Sequence, residues 1–205
     1  MEYHMNSDSQ LKQDLWVLKQ TNNKKDGYFV EAGASDGIVL SNTYMLEKEY
    51  NWQGICCEPN PEYHRQLAFN RKCNIEFNCL YSISNQKLEF TQSHELGGIT
   101  KEFKNDGDDP HTRRMIRAKS PKSIVNTISL NDMLEKHNAP HNIDYISLDT
   151  EGSELKILST FDFNKYNVKL WTIEHNNIIL NELLSIFIPQ GYEYLKQSFD
   201  CWLFK

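Results

Sequence analysis

The sequence predicts an α/β domain: a mostly parallel central sheet with helices on both faces, finished by an antiparallel C-terminal strand pair. Three observations point there. Short apolar runs alternate with segments of helical periodicity, the pattern of β–α units around a parallel sheet. Four of those runs lead into an acidic residue, Glu31, Glu58, Asp149 or Glu174, as strands do when they deliver polar groups to one sheet edge. The last two runs, 192–195 and 201–204, lie too close in sequence for a crossover helix, so they pair antiparallel.

The elements follow in order. Leu11, Leu15 and Leu18 recur at helical spacing, so residues 9–20 read as an amphipathic leading helix. Residues 28–30 form a buried strand ending at Glu31, and a turn runs from Gly33 to Gly37. Ser41 caps a helix carrying Tyr44, Met45 and Leu46, which stops near Asn51. Residues 54–57 are the second strand, ending at Glu58. Asn60 as N-cap and Pro61 at the first helical position open the next helix, where Tyr63 and Leu67 share a face. Residues 75–77 read as a third strand and 88–90 as an edge strand. Residues 101–123 are charged, carry Gly and Pro and show little periodicity, so they read as a surface loop or lid. Ser129 and Asp132 resemble a capping box ahead of Leu130, Met133 and Leu134. A strand at 143–148, a helix bearing Leu155 and Leu158, and a strand at 170–173 follow. A helix with Leu180, Leu183, Leu184 and Phe187 precedes the final pair.

With 205 residues, 39% hydrophobic and 24% charged, the chain reads as one globular domain spanning 1–205. A net charge of −6 argues against a general nucleic-acid or anionic-membrane binder. The five cysteines include no C-x-x-C pair and read as free thiols in a reducing compartment. No apolar run reaches the ~18 residues that would cross a membrane, and the first residues lack a signal-peptide core, so the expected location is cytoplasmic.

The chemistry concentrates at strand ends. In FVEAGASDG (29–37), Ser35 stands where a dinucleotide fingerprint needs its second glycine, the one that admits a pyrophosphate. The expected ligand is therefore a nucleoside without pyrophosphate, and Glu31 favours a cationic one. Glu58 follows Gly37 by about the twenty residues at which an acid meets ribose hydroxyls. Asp149 and Glu151 straddle the start of a helix at the same edge, where one of them could be a plain cap. His175, after Glu174, is the candidate base, since imidazole titrates near working pH. Asp149, Glu174 and His175 can also be read as ligands for a divalent cation, though no short ligand pattern supports a metal.

Assembled in this order, GYFVEAGASDG, SNTYMLEKEYNWQGICCEPNP, TISLNDML, IDYISLDTEGSELKIL and the IEHN strand end resemble the FkbM-type methyltransferases, across nearly the whole chain. The resemblance implies a Rossmann-like class I fold and S-adenosylmethionine as cofactor. It implies that the loop of Glu31, Gly33, Ala34, Ser35, Asp36 and Gly37 holds the methionine end, with Asn42 and Thr43 facing the same pocket. Glu58, Pro59 and Asn60 would hold the ribose, Asn78 and Cys79 would flank the adenine, and Asp149 and Glu151 would border the transferred methyl group. Family members typically methylate hydroxyls, so the implied acceptor is a small molecule, sugar or glycan. Arg113, Arg114, Arg117, Lys119 and Lys122 suggest that the 101–123 segment either is plain solvated surface or recognises a phosphorylated or acidic acceptor. Two rival readings stay open: a methyltransferase acting on an RNA cap or ribose, and a non-catalytic nucleoside-binding module of the same fold.

Overall fold

A computed structural model of the chain describes residues 7–103, 110–175 and 179–205. The middle of the expected lid (104–109) and Asn176 at the IEHN strand end lie outside them. In chain order the first half holds α1 (Gln13–Gln20), β1 (Tyr28–Ala32), α2 (Tyr44–Tyr50), β2 (Gln53–Cys57), α3 (His64–Asn70), β3 (Asn74–Glu76), β4 (Cys79–Tyr81), β5 (Lys87–Thr91) and β6 (Gly98–Ile99). The second half holds α4 (Pro110–Lys119), β7 (Lys122–Ser129), α5 (Leu130–Lys136), β8 (Asn142–Leu148), α6 (Glu154–Leu158), β9 (Asn167–Glu174), α7 (Leu180–Phe187), β10 (Glu193–Lys196) and β11 (Asp200–Phe204).

Seven strands form the main sheet in the order β10-β11-β9-β8-β1-β2-β3. Neighbours from β9 to β3 are parallel, and β11 runs antiparallel to both β9 and β10. This is the expected fold class. Its central strands are apolar on both faces, as a sheet covered on both sides requires. One core packs Val30, Ile55, Ile146 and Ile173 against α5, α6 and α7. The other packs Phe29, Cys56, Tyr145 and Leu170 against Trp16, Val17 and Leu18 of α1 and Met45 and Leu46 of α2. The strand order reverses between β1 and β8, which opens a crevice at their carboxyl ends, where α/β proteins bind ligands.

Several expected boundaries change. The leading helix starts at Gln13, because Lys12 adopts a left-handed backbone (φ 64°) and Ser9 instead bridges to Leu40. The third helix begins at His64: Asn60 and Pro61 form a turn in which the Asn60 side chain accepts from the Glu62 N–H. Ser129 does cap α5, its hydroxyl accepting from the Asp132 N–H.

The larger correction concerns 79–129. A second, four-stranded sheet of order β4-β7-β5-β6 stands there, of which only the 88–90 strand was expected. The described part of 101–123 is not an irregular loop either. It contains α4 and the start of β7. All five cysteines are free thiols, as expected, with only Cys73 partly exposed.

Candidate active site

The crevice between β1 and β8 is a solvent-open cleft enclosing about 720 Å³ of empty space. Its floor is built where two loops interlock. A Cβ on Gly33 (φ +84°) would sit 2.0 Å from the Asp149 carbonyl oxygen, so only glycine lets the loop after β1 pass the loop after β8. Glu31, Gly33, Ser35, Ser41, Asn42, Glu58, Ser147, Asp149 and Glu151 line the cleft, and Gln10, Gln13, Val39, Leu40, His94 and Glu95 surround the rest of it. A second space of about 350 Å³ continues from it between Cys57, Pro59, Cys79, Leu80, Phe90 and Ile99. Phe90 and Ile99 belong to the second sheet, which thus supplies an apolar wall that sequence reading missed.

Glu58 is 5% exposed. Oε2 accepts from the Ser35 N–H at 2.8 Å and Oε1 from the Asn60 N–H at 2.7 Å. Burial pushes its carboxyl up to about 7, although both N–H donors favour the ionised form. Each carboxylate oxygen keeps a second lone pair for a ligand hydroxyl.

Glu31 lines the cleft, but its oxygens already serve the protein. They accept from Ser41 Oγ at 2.9 and 3.1 Å, the Asn42 N–H at 2.5 Å, Thr43 Oγ1 at 2.7 Å and Arg71 Nη1 at 3.1 Å. The anion expected to face a cationic ligand there is already paired with Arg71. Asp149 faces Glu174 within hydrogen-bonding reach; burial first, then the charges of Glu151, Asp200 and Glu154, drive the Asp149 carboxyl well above the ordinary range.

Other expected residues sit behind the walls. Ala34, Asp36, Gly37, Thr43, Asn60 and Asn78 do not line either space. Asp36 closes its own turn, accepting from the Ile38 and Val39 N–H groups at 2.9 Å. The Thr43 side chain accepts from Arg71 Nη2 while donating to Glu31. Asn78 donates its N–H to Glu76 and accepts from the Cys57 thiol through its carbonyl. Glu174 stands behind Asp149. His175, the expected base, is 1% exposed and absent from the cleft wall, and burial lowers its pKa.

Asp149, Glu151 and Glu174 offer oxygens within 4.8 Å of one another, a spacing that can hold a cation. Two guanidinium groups already meet that acidity: Arg113 Nη1 lies 3.2 Å and Arg117 Nη2 2.8 Å from Glu151 Oε2. Arg117 also donates to the Leu96 carbonyl at 2.9 Å and stacks 3.8 Å from the Phe103 ring, so α4 is anchored to the rim of the cleft.

The residues present fit a nucleoside cofactor with a cationic tail. An acid with spare lone pairs adjoins an apolar slot, and a carboxyl pair lies at the far side of the cleft. Strand order, switch-point cleft and carboxylate rim define a class I, Rossmann-like methyltransferase. The methyltransferase FkbM domain matches residues 31–194, and the chain belongs to that family. S-adenosylmethionine is its cofactor. The fold is similar to that of precorrin-6y C5,15-methyltransferase from Geobacter metallireducens, at 10% identity and a TM-score of 0.50, covering 94% of this chain and 87% of that one. Lower scores relate it to a methyltransferase from Pyrococcus furiosus (15% identity, TM-score 0.44, 100% and 87% covered). A SAM-dependent methyltransferase from Aquifex aeolicus follows (13%, 0.42, 95% and 88%). No curated protein matches the chain significantly. No helix among the described residues is long and apolar enough to cross a membrane.

Proposed function

We propose that the enzyme methylates a hydroxyl group on an uncharged small molecule, sugar or glycan. The observation that carries this reading is the chemistry of the cleft beyond the acids. Amides (Gln10, Gln13, Asn42), a hydroxyl (Ser41) and the apolar lip of Val39 and Leu40 face it. Arg113 and Arg117, the α4 cations that reach the cleft-lining Glu151, are paired with it and are poorly placed to receive a phosphate. This disfavours an acceptor that places a phosphate or other anionic group inside the cleft.

In this reading Glu58 holds the ribose hydroxyls, the slot of Cys79, Leu80, Phe90 and Ile99 takes the adenine, and Ser35 and Asp149 flank the methionine end. S-adenosylmethionine, when bound, supplies an electrophilic methyl group on a sulfonium. In its ionised form Asp149 accepts the proton of the acceptor hydroxyl, its raised carboxyl making that form the stronger base, and Glu174 holds it in place. His175 is too deeply buried for this task.

The test has two stages. Calorimetry with S-adenosylhomocysteine measures cofactor binding, and release of that product from S-adenosylmethionine is then followed with neutral sugars, phenols, hydroxy acids and RNA oligonucleotides. Turnover confined to neutral hydroxyl acceptors is expected. Turnover on RNA alone, with an affinity that falls steeply as salt is raised, would replace this assignment.

A further inference from the structure

Arg71, directly after α3, has no part in the cleft wall, yet its side chain is wholly buried, at 0% exposure. Its guanidinium reaches across the underside of the segment that lines the cleft. Nη1 donates to Glu31 Oε2 at 3.1 Å, the Gly37 carbonyl at 3.2 Å and Ser41 Oγ at 3.2 Å. Nη2 donates to Thr43 Oγ1 at 2.8 Å, and Nε to Glu47 Oε2 at 2.8 Å. The rings of Phe29 and Tyr44 flank it at 5.3 and 5.9 Å.

A buried charge is a costly way to make a purely structural tie, since well-packed apolar groups of the same volume do as well or better. What a guanidinium adds is fixed direction: a planar fork of donors that holds several acceptors in one arrangement. All but one of its acceptors lie between residues 31 and 43, the segment whose Glu31, Gly33, Ser35, Ser41 and Asn42 face the cleft. Gly37 belongs to the same device. Its φ is +84°, and a Cβ there would lie 2.7 Å from Arg71 Cγ and 2.8 Å from Leu67 Cδ1. The second glycine of the motif therefore makes room for the arginine stem, not for a ligand.

We propose that Arg71 is a positioning residue for the cofactor: it acts through Glu31 and the Gly37 carbonyl to hold the cleft-lining 31–43 segment in its binding shape. The role rests on the cofactor cleft assigned above. The charge and the fork are separable. Arg71→Met removes both and leaves Glu31 buried without its partner, whereas Arg71→Lys keeps the charge and loses the fork.

The experiment measures S-adenosylhomocysteine affinity by calorimetry, well below each variant's melting temperature, for wild type, R71K, R71M, E31Q and R71K/E31Q. R71K recovers most of the melting temperature lost in R71M, yet its Kd rises about tenfold or more, the scale of a lost hydrogen-bond set to charged groups. The R71K/E31Q double variant binds within about threefold of the weaker single variant, because the two act in series. Thr43→Val, nearly isosteric and away from the cleft wall, removes one anchor while keeping the ion pair. It should weaken binding about fivefold, which provides a readout if R71K does not fold. Folded R71K or T43V with wild-type affinity overturns the proposal, and so does a double variant whose losses multiply. Wild-type protein that fails to bind at all removes the cleft assignment itself, a different result from variants that bind normally.

Discussion

Glu58 makes the cofactor site sensitive to pH in a calculable way. Its carboxyl is raised from 4.5 to about 7 by burial, so ionising it in the folded, ligand-free protein costs about 3 kcal/mol more than in the unfolded chain. The sign follows from the direction. Below pH 4.5 the group is neutral in both states; as pH rises through 7 the unfolded chain has already released its proton, and up to about 3 kcal/mol of folding stability is lost. In the proposed binding mode ribose hydroxyls donate to the ionised form, so the ligand would offset this cost and binding would expel a proton. With about 3% of Glu58 ionised at pH 5.5, S-adenosylhomocysteine should bind roughly thirtyfold more weakly there than at pH 8.5, with a plateau above pH 7.5. Calorimetry in two buffers of different ionisation enthalpy, from pH 5.5 to 8.5, reads both the affinity and the proton released. Glu58→Gln should bind weakly at every pH, without the slope, and should melt higher than wild type at pH 8. A flat wild-type affinity with no proton release, or an E58Q slope equal to that of wild type, would refute the argument.

Other perturbations separate the parts of the cleft. Asp149→Asn should lower turnover about 10²- to 10⁴-fold, the usual worth of a general base, with S-adenosylhomocysteine affinity within a few-fold of wild type; single-turnover kinetics with an accepted substrate checks it, and an active variant moves the base elsewhere. Phe90→Ala opens the apolar slot and should weaken cofactor binding about tenfold while sparing a cofactor fragment that lacks the adenine. Arg117→Ala removes a deeply buried side chain of α4 and takes from Glu151 its shorter guanidinium contact. It should cost about 2 kcal/mol in chemical denaturation and expose α4 to proteolysis. An unchanged protease pattern would mean that α4 is held by other contacts.

The parts of this molecule that show in its sequence are those whose physics is local. Apolar strands leading into Glu31, Glu58 and Asp149 mark the main sheet and its ligand edge, because a strand fully buried on both faces needs a continuous apolar run. The same property hides side-chain direction. With both faces of β9 covered, alternation does not show that Glu174 and His175 turn away from the cleft while Asp149, on the loop after β8, turns in. The rest of the second sheet escaped because β6 is two residues long and β7 blurs its alternation, exposing Ile124 while burying Thr127. In α4 Arg113 and Arg117 turn to the protein, so charged residues occupy the place where an apolar stripe would announce a helix. Arg71 left the faintest trace: it lies four residues after Leu67, on the same side of α3, and nothing local distinguishes it from a solvated arginine.

One wall of the cleft joins opposite stretches of the chain. Gln13 Nε2 donates to Asp200 Oδ2 at 2.8 Å across 187 positions of sequence, and Ser9 reaches Asn42 at 2.7 Å. Asp200 opens β11, which is synthesised after every other strand of this sheet and must slide between β9 and β10 rather than add to an edge. During vectorial synthesis the growing polypeptide can therefore bury most of its interior before the cofactor chamber has its final side. Competence to hold the methyl donor should arrive abruptly, as the closing step of folding, and a ligand added to refolding protein should accelerate nothing before that step.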